Sequence, residues 1–151
     1  MSGGLDALAA TPVAQLPPRP FARADIDDRL WKVVDAMKAR GRGAVVVEDD
    51  GALVGIFTER DLMARVDHDD VLWSHVPVRD VMTPHPTVIH PTDSLAEALR
   101  RLLAGRRRHL PIVDERGTVI GLLSVRDILG FVASRFPEEM VNLPPTPDHE
   151  S

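Results

Sequence analysis

The chain has 151 residues, 44% of them hydrophobic and 27% charged, with a net charge of −5 and no cysteine. This is the composition of a soluble globular protein; it excludes disulfides and thiolate chemistry, fits a reducing cytoplasmic setting, and argues against a general nucleic-acid binder, which is usually basic. No run approaches the ~20 apolar residues of a membrane span, and residues 1–20 carry neither a basic segment nor a long apolar one, so no signal peptide is expected.

Residues 1–20 are rich in Ala, Pro and Gly, with Pro17, Pro18 and Pro20 at their end, and read as a flexible lead-in. Asp27-Asp28 then precede Leu30, Val33, Val34 and Met37, spaced as one face of a helix. A loop, Arg40-Gly41-Arg42-Gly43, leads to an apolar strand, Ala44-Val45-Val46-Val47. Asp49-Asp50-Gly51 is a turn, Leu53 to Phe57 a second strand, and a helix starts at Thr58 and runs to Arg65. The segment 67–77 is polar, with Trp73 as its packing anchor.

The same order then returns. Thr87-Val88-Ile89 is a leading strand, whose counterpart near Phe21-Ala22 is weaker. Pro91-Thr92-Asp93-Ser94 opens a helix carrying Leu95, Ala98, Leu99, Leu102 and Leu103 on one face. Leu110-Pro111-Ile112-Val113, a turn at Glu115-Arg116-Gly117, Val119 to Leu123 and a helix from Ser124 to about Phe136 follow. Gly51, Gly55, Thr58, Arg60 and Asp61 recur as Gly117, Gly121, Ser124, Arg126 and Asp127 at a constant offset of 66. Each unit reads strand–helix–strand–strand–helix, and a repeat that keeps polar as well as apolar residues predicts two copies of one unit, each with a polar site. A unit this small is marginal alone, so the halves are expected to pack as one body. The expected division is a tail over 1–20, a first unit with its linker over 21–75, a second unit over 76–137 and a Pro-rich irregular tail over 138–151, in which the stub Glu138 to Val141 can still pack on the body.

Two tandem units closed by Gly-x-x-[Thr/Ser]-x-x-Asp, at Gly55 to Asp61 and Gly121 to Asp127, resemble the cystathionine β-synthase (CBS) domain pair, or Bateman module. The lead-in Asp80-Val81-Met82-Thr83 with Thr87-Val88, and the strand His109 to Asp114, also look like this family; the first copy lacks a Met-Thr lead-in. The resemblance spans about Phe21 to Phe136. It implies an α/β (α+β) fold of two β-α-β-β-α units in a pseudo-twofold disc. It further implies a stand-alone, non-enzymatic regulatory pair that binds AMP, ADP or ATP, with Mg²⁺ as an optional companion, dimerises, and controls a target protein in trans.

The polar site has two readings. Thr58-Glu59-Arg60-Asp61 and Ser124-Val125-Arg126-Asp127 are both capping boxes, which account for the hydroxyl and the acid with no ligand. The same geometry presents free amides and a positive dipole end, which suit a phosphate. Thr58 or Ser124 adds a hydroxyl, and Arg60 or Arg126 a charge-assisted bond. Asp61 or Asp127 is then an acceptor pair for ribose hydroxyls. By resemblance, Thr87, Val88, His109 and Leu110 line the adenine slot of the second copy, and the Asp127 site is preferred over the Asp61 site.

Other features count for less. Arg106-Arg107-Arg108 is a solvated helix end, a second phosphate contact, or, third, a nucleic-acid contact without an aromatic platform. The six histidines show no metal spacing, and Asp67-His68-Asp69-Asp70 is a solvated acidic loop before it is a cation site. No nucleophile is assigned. Ile128, Leu129, Val132 and Phe136, with Leu102 and Leu103, offer apolar surface for a homodimer. The competing classes are a ligand-free protein-interaction module and, behind it, an RNA- or DNA-binding regulator; an enzyme ranks last.

Overall fold

The computed structural model describes residues 3–135. The expected tail over 138–151, its stub, and Phe136 lie outside the described residues.

The chain alternates sheet and helix in two mixed α/β units. The first holds β1 (Ala22–Asp25), α2 (Leu30–Arg40), β2 (Ala44–Asp49), β3 (Ala52–Thr58) and α3 (Glu59–Ala64); α1 (Gly4–Ala10) precedes it. The second holds α4 (Leu95–Ala104), β5 (His109–Val113), β6 (Val119–Ser124) and α5 (Val125–Arg135), with a two-residue strand β4 (Thr83–Pro84) leading into it. One sheet runs β1-β2-β3-β4, with β1 parallel to β2 and the rest antiparallel; the other is the β5-β6 hairpin.

The repeat survives in fine geometry. Gly51 and Gly117 both turn at φ +83°, a conformation that favours glycine. Both hairpins slip register at the equivalent place, between Val47 and Glu48 and between Ile112 and Val113. Both closing helices start at the predicted hydroxyl residue. Ser94 caps α4 by accepting from the Glu97 amide at 3.0 Å.

Two expectations change. The leading strand is the better formed one in the first copy. Ala22 and Ala24 alternate inward along β1, which pairs over its whole length with β2. In the second copy only Ile89 bridges to Ile112, because Pro91 and, on the facing strand, Pro111 lack the amides that would extend the ladder on either side. The lead-in over 1–20 is also structured from Gly4 on. Leu8 and Val13 are buried in the second unit's core, and the Val13 and Ala14 amides donate to the Asp93 and Pro91 carbonyls at 2.8 and 3.0 Å.

Three apolar clusters result. One, around Leu30, Val45 and Phe57, fills the first unit, with Trp73 anchoring the linker against it. Another, around Leu95, Leu110 and Ile128, fills the second. The third joins β2 and β3 to β5 and β6 through Val46, Ile56, Val113, Val119 and Leu122. Each fully buried aliphatic side chain there contributes about 1.5–3 kcal/mol, so this seam holds the halves together.

Of the residues expected to form a dimer face, Leu102 and Ile128 are fully buried, since both are needed inside the second unit. Leu103 and Leu129 remain exposed, together with Trp31 and Met63.

Candidate functional site

Each site begins where a strand runs into a helix. At the end of β3, the Thr58 hydroxyl accepts from the Asp61 amide (3.2 Å), and the Thr58 amide donates back to Asp61 Oδ2 (3.0 Å). At the end of β6, the Ser124 amide donates to Asp127 Oδ2 (2.8 Å), and the Asp127 amide donates to Ser124 Oγ (3.3 Å). Both capping boxes are therefore real, and each stabilises its helix start by about 1 kcal/mol.

The two corners differ in what covers them. Asp61 is 4% exposed and its oxygens are engaged by the chain itself. The Thr58 hydroxyl donates to Oδ2 (3.1 Å), the Thr83 hydroxyl to Oδ1 (3.0 Å), and Arg65 Nε lies 3.3 Å from Oδ1. The lead-in of the second unit has docked along β3, placing Thr83 over the first unit's acid.

Asp127 instead borders a cavity of about 260 Å³ whose walls include Leu16, Pro17, Arg19, Ile112 and Gly121. Arg19 Nη1 meets Asp127 Oδ1 at 2.7 Å, and Arg42 Nη2 lies 3.5 Å from Oδ2. Arg42 crosses from the first unit, and the same nitrogen donates to the Leu122 carbonyl at 2.7 Å. The Arg42 side chain is 7% exposed, and its Nη1 is buried with no hydrogen-bond partner.

Electrostatics follow from this crowding. Burial alone would raise the Asp127 carboxyl, but the Ser124 amide and the Arg19 and Arg42 guanidiniums outweigh it and hold the group below its ordinary value. Burial, helped by Arg42, pushes the His109 imidazole down to about 4, although Asp127 pulls the other way. His109 is thus neutral near pH 7, and the corner holds one carboxylate against two permanent guanidinium charges.

The structure brings Ser124, Asp127 and His109 together, His109 pairing with Ser124 across the β5-β6 ladder. Thr58 and Asp61 meet at the other corner, and Arg60 and Arg126 stand exposed on the first turns of α3 and α5. Three expected slot residues lie elsewhere. Leu110 is fully buried in the second unit's core, because β5 turns it inward toward α4 and α5. Val88 packs on the inter-unit seam and lines a separate opening beside Gly51 and Gly117. Thr87, half-buried before the Ile89 bridge, is not among the residues lining the Asp127 cavity.

Nothing in the local sequence around Arg19 and Arg42 marks them as site residues. The available signal is a basic residue two places before each second strand, Arg42 before Ala44 and Arg107 before His109. Among the described residues no His, Asp or Glu cluster is arranged to hold a metal ion, and no helix is long and apolar enough to cross a membrane. The Asp67–Asp70 carboxylates serve their own turn, accepting from the Asp69 and Leu72 amides.

The CBS domain family model matches residues 13–68 and 78–134. An inosine-5'-monophosphate dehydrogenase from Mycobacterium bovis is 41% identical over 105 residues, which cover 68% of this chain and 19% of that protein. The chain spans well under half the length of the sequence relatives it first matches, 37% and 15% in two further cases. Among solved structures, a putative signal-transduction protein with CBS domains from Burkholderia ambifaria superposes with a TM-score of 0.73 and 28% identity, covering 91% of this chain and 100% of that one. CBSX2, solved in complex with AMP, superposes with a TM-score of 0.71 and 26% identity, covering 83% and 98%.

Proposed function

This chain belongs to the CBS domain family, and from that membership we propose that it is a regulatory module binding an adenine nucleotide of the AMP, ADP or ATP type beside Asp127. The observation that carries this reading is the Ser124–Asp127 corner opening onto the cavity. Asp127 offers two acceptor oxygens for ribose hydroxyls. The N-terminus of α5 offers amides and a positive dipole end for phosphate. The apolar walls at Leu16, Pro17 and Ile112 suit a purine ring. The AMP complex of CBSX2, on the same fold, supports the ligand class.

A cavity of about 260 Å³ is at the small end of ligand pockets, which favours a mononucleotide over a ligand with two bases. The cavity is walled by the second unit and by residues Val13 to Arg19 packed on it, and the first unit reaches it through Arg42 beside Asp127, so a nucleotide there bears on both units. Ligation then biases their relative tilt, and a partner protein reads the change in trans. A regulatory rather than catalytic role, in the cytoplasm, is part of the same proposal, as is a homodimer built on the exposed Trp31, Met63, Leu103 and Leu129.

The test is a thermal-shift panel of AMP, ADP, ATP, S-adenosylmethionine, cyclic di-AMP and Mg²⁺ on wild type and Asp127→Ala. A ligand at ~100 times its dissociation constant adds about 2.7 kcal/mol, or roughly 5–10 °C in midpoint. A nucleotide shift that vanishes in Asp127→Ala supports the reading. A flat panel with wild type still folded refutes it and leaves a ligand-free interaction module, for which the exposed apolar residues are the supporting observation.

A further inference from the structure

We propose that residues 16–20 form a strap over the Asp127 cavity, latched by the Arg19–Asp127 ion pair, and that a ligand takes the carboxylate by displacing Arg19 and freeing the strap. The proposal rests on the nucleotide reading above and adds to it what the ligand must move.

The molecule contains its own comparison. The short 3-10 turns Val13–Gln15 and Val78–Asp80 are equivalent, and each buries its valine in the core of the opposite unit. Counting on from them, Pro18, Arg19 and Pro20 stand where Thr83, Pro84 and His85 stand. Thr83 and Pro84 form β4, which pairs with Ile56 and Gly55 of β3, and the His85 amide donates to the Val54 carbonyl at 3.2 Å. That strand shuts the Asp61 corner. In the strap, proline replaces both Thr83 and His85, so the amides that would pair with β6 do not exist. Among the described residues no backbone hydrogen bond ties Pro17 to Pro20 to that strand. The chain therefore passes the edge of β6 without joining it. The space between is the cavity, with Leu16 to Arg19 on one side and Ile120 to Leu123 on the other.

The strap is held by a charge instead of a ladder. Pro17 to Pro20 are exposed, and Leu16 is the last side chain of the lead-in packed against the second unit's core. Beyond it, Arg19 Nη1 meets Asp127 Oδ1 at 2.7 Å. Asp127 Oδ2 already accepts from the Ser124 amide at 2.8 Å, so Oδ1 is the oxygen best placed for a hydroxyl, and Arg19 sits on it. The Arg19 side chain is 60% exposed, and an ion pair open to solvent on one side is weak and screened by salt. A ligand held as well by the apolar walls and the start of α5 outcompetes it. Binding and release of the strap are then one event, and the freed segment is a change that a partner can read.

The test uses the full chain with a fluorophore on Pro20→Cys, which is the single thiol because the chain has no cysteine. Pro20 is exposed and is not among the residues lining the cavity. Fluorescence anisotropy reads the freedom of the strap, and calorimetric titration reads the affinity for AMP. AMP is expected to lower the anisotropy with the dissociation constant found by calorimetry. Arg19→Ala is expected to show low anisotropy without ligand and to bind AMP about two- to fivefold more tightly, the range of an exposed ion pair. Arg19→Lys keeps the charge and is expected to restore most of the wild-type behaviour. Equal anisotropy of the ligand-free wild-type and Arg19→Ala chains overturns the latch. Weaker AMP binding by Arg19→Ala, or AMP binding with unchanged anisotropy, overturns the displacement. Failure of AMP to bind either chain, with their anisotropies still different, supports the latch and overturns the nucleotide reading itself.

Discussion

Asp61 and Asp127 occupy equivalent positions in the repeat, yet their surroundings give them different roles. Asp61 is sealed by Thr58, Thr83 and Arg65, so Asp61→Ala removes a cap and orphans the Thr83 hydroxyl. The expected loss is about 2–3 kcal/mol by urea denaturation, while the nucleotide-induced thermal shift survives. A lost shift would mean that the sealed corner also takes ligand. His109 supplies a second residue-level prediction. Its folded value of about 4 lies below the ordinary 6.5. Between those values the unfolded chain binds the extra proton, so stability is lost as pH falls from about 6.5 toward 4 and regained as it rises. The loss reaches up to about 3 kcal/mol. His109→Gln, which stays neutral throughout, is expected to flatten that part of the pH–stability curve; an unchanged curve would assign the loss to other groups.

At the level of elements, the glycines inside β3 and β6 are equal in sequence and unequal in place. A methyl group on Gly55 would collide with Met82 Sδ and lie 3.0 Å from the Thr83 carbonyl, so it would lever the β4 lead-in off β3. A methyl on Gly121 would lie 3.0 Å from Ile112 Cδ1, a side-chain end that can turn aside. Gly55→Ala is therefore expected to cost about 1–3 kcal/mol and Gly121→Ala less than about 1, measured by chemical denaturation; equal costs would count against β4 as a seal. The hairpins, the Gly51 and Gly117 turns and both helix starts were legible in the sequence because every residue that makes them is local. Thr83 over Asp61, and Arg19 and Arg42 beside Asp127, were not, because each reaches across to the other copy. The helix α1 was hidden by an Ala- and Pro-rich composition whose buried contacts, Leu8 and Val13, lie against α4 and its lead-in.

For the whole molecule, the decisive question is whether the two copies fold as two bodies or as one. A tandem repeat alone allows either, but the third apolar cluster draws Ala44, Val46 and Ile56 from one copy and Val113, Val119 and Leu122 from the other. Arg23 Nη2 donates across the same seam to the Val119 carbonyl at 2.6 Å, and α1 and β4 each extend the exchange. Neither half can separate without exposing this cluster and stripping those carbonyls, so thermal unfolding is expected to be one cooperative transition. Its calorimetric enthalpy should equal the van't Hoff value and be on the order of 100 kcal/mol for a chain of this size. Val119→Asp places an unpaired carboxylate at a fully buried position on the seam. It should cost more than about 3 kcal/mol and, because Leu122 belongs both to the seam and to the wall of the Asp127 cavity, abolish the proposed ligand-induced shift at temperatures where residual structure remains. Two resolved transitions in wild type would mean that the halves fold independently, and the coupling between ligand and inter-unit tilt would then lose its physical basis.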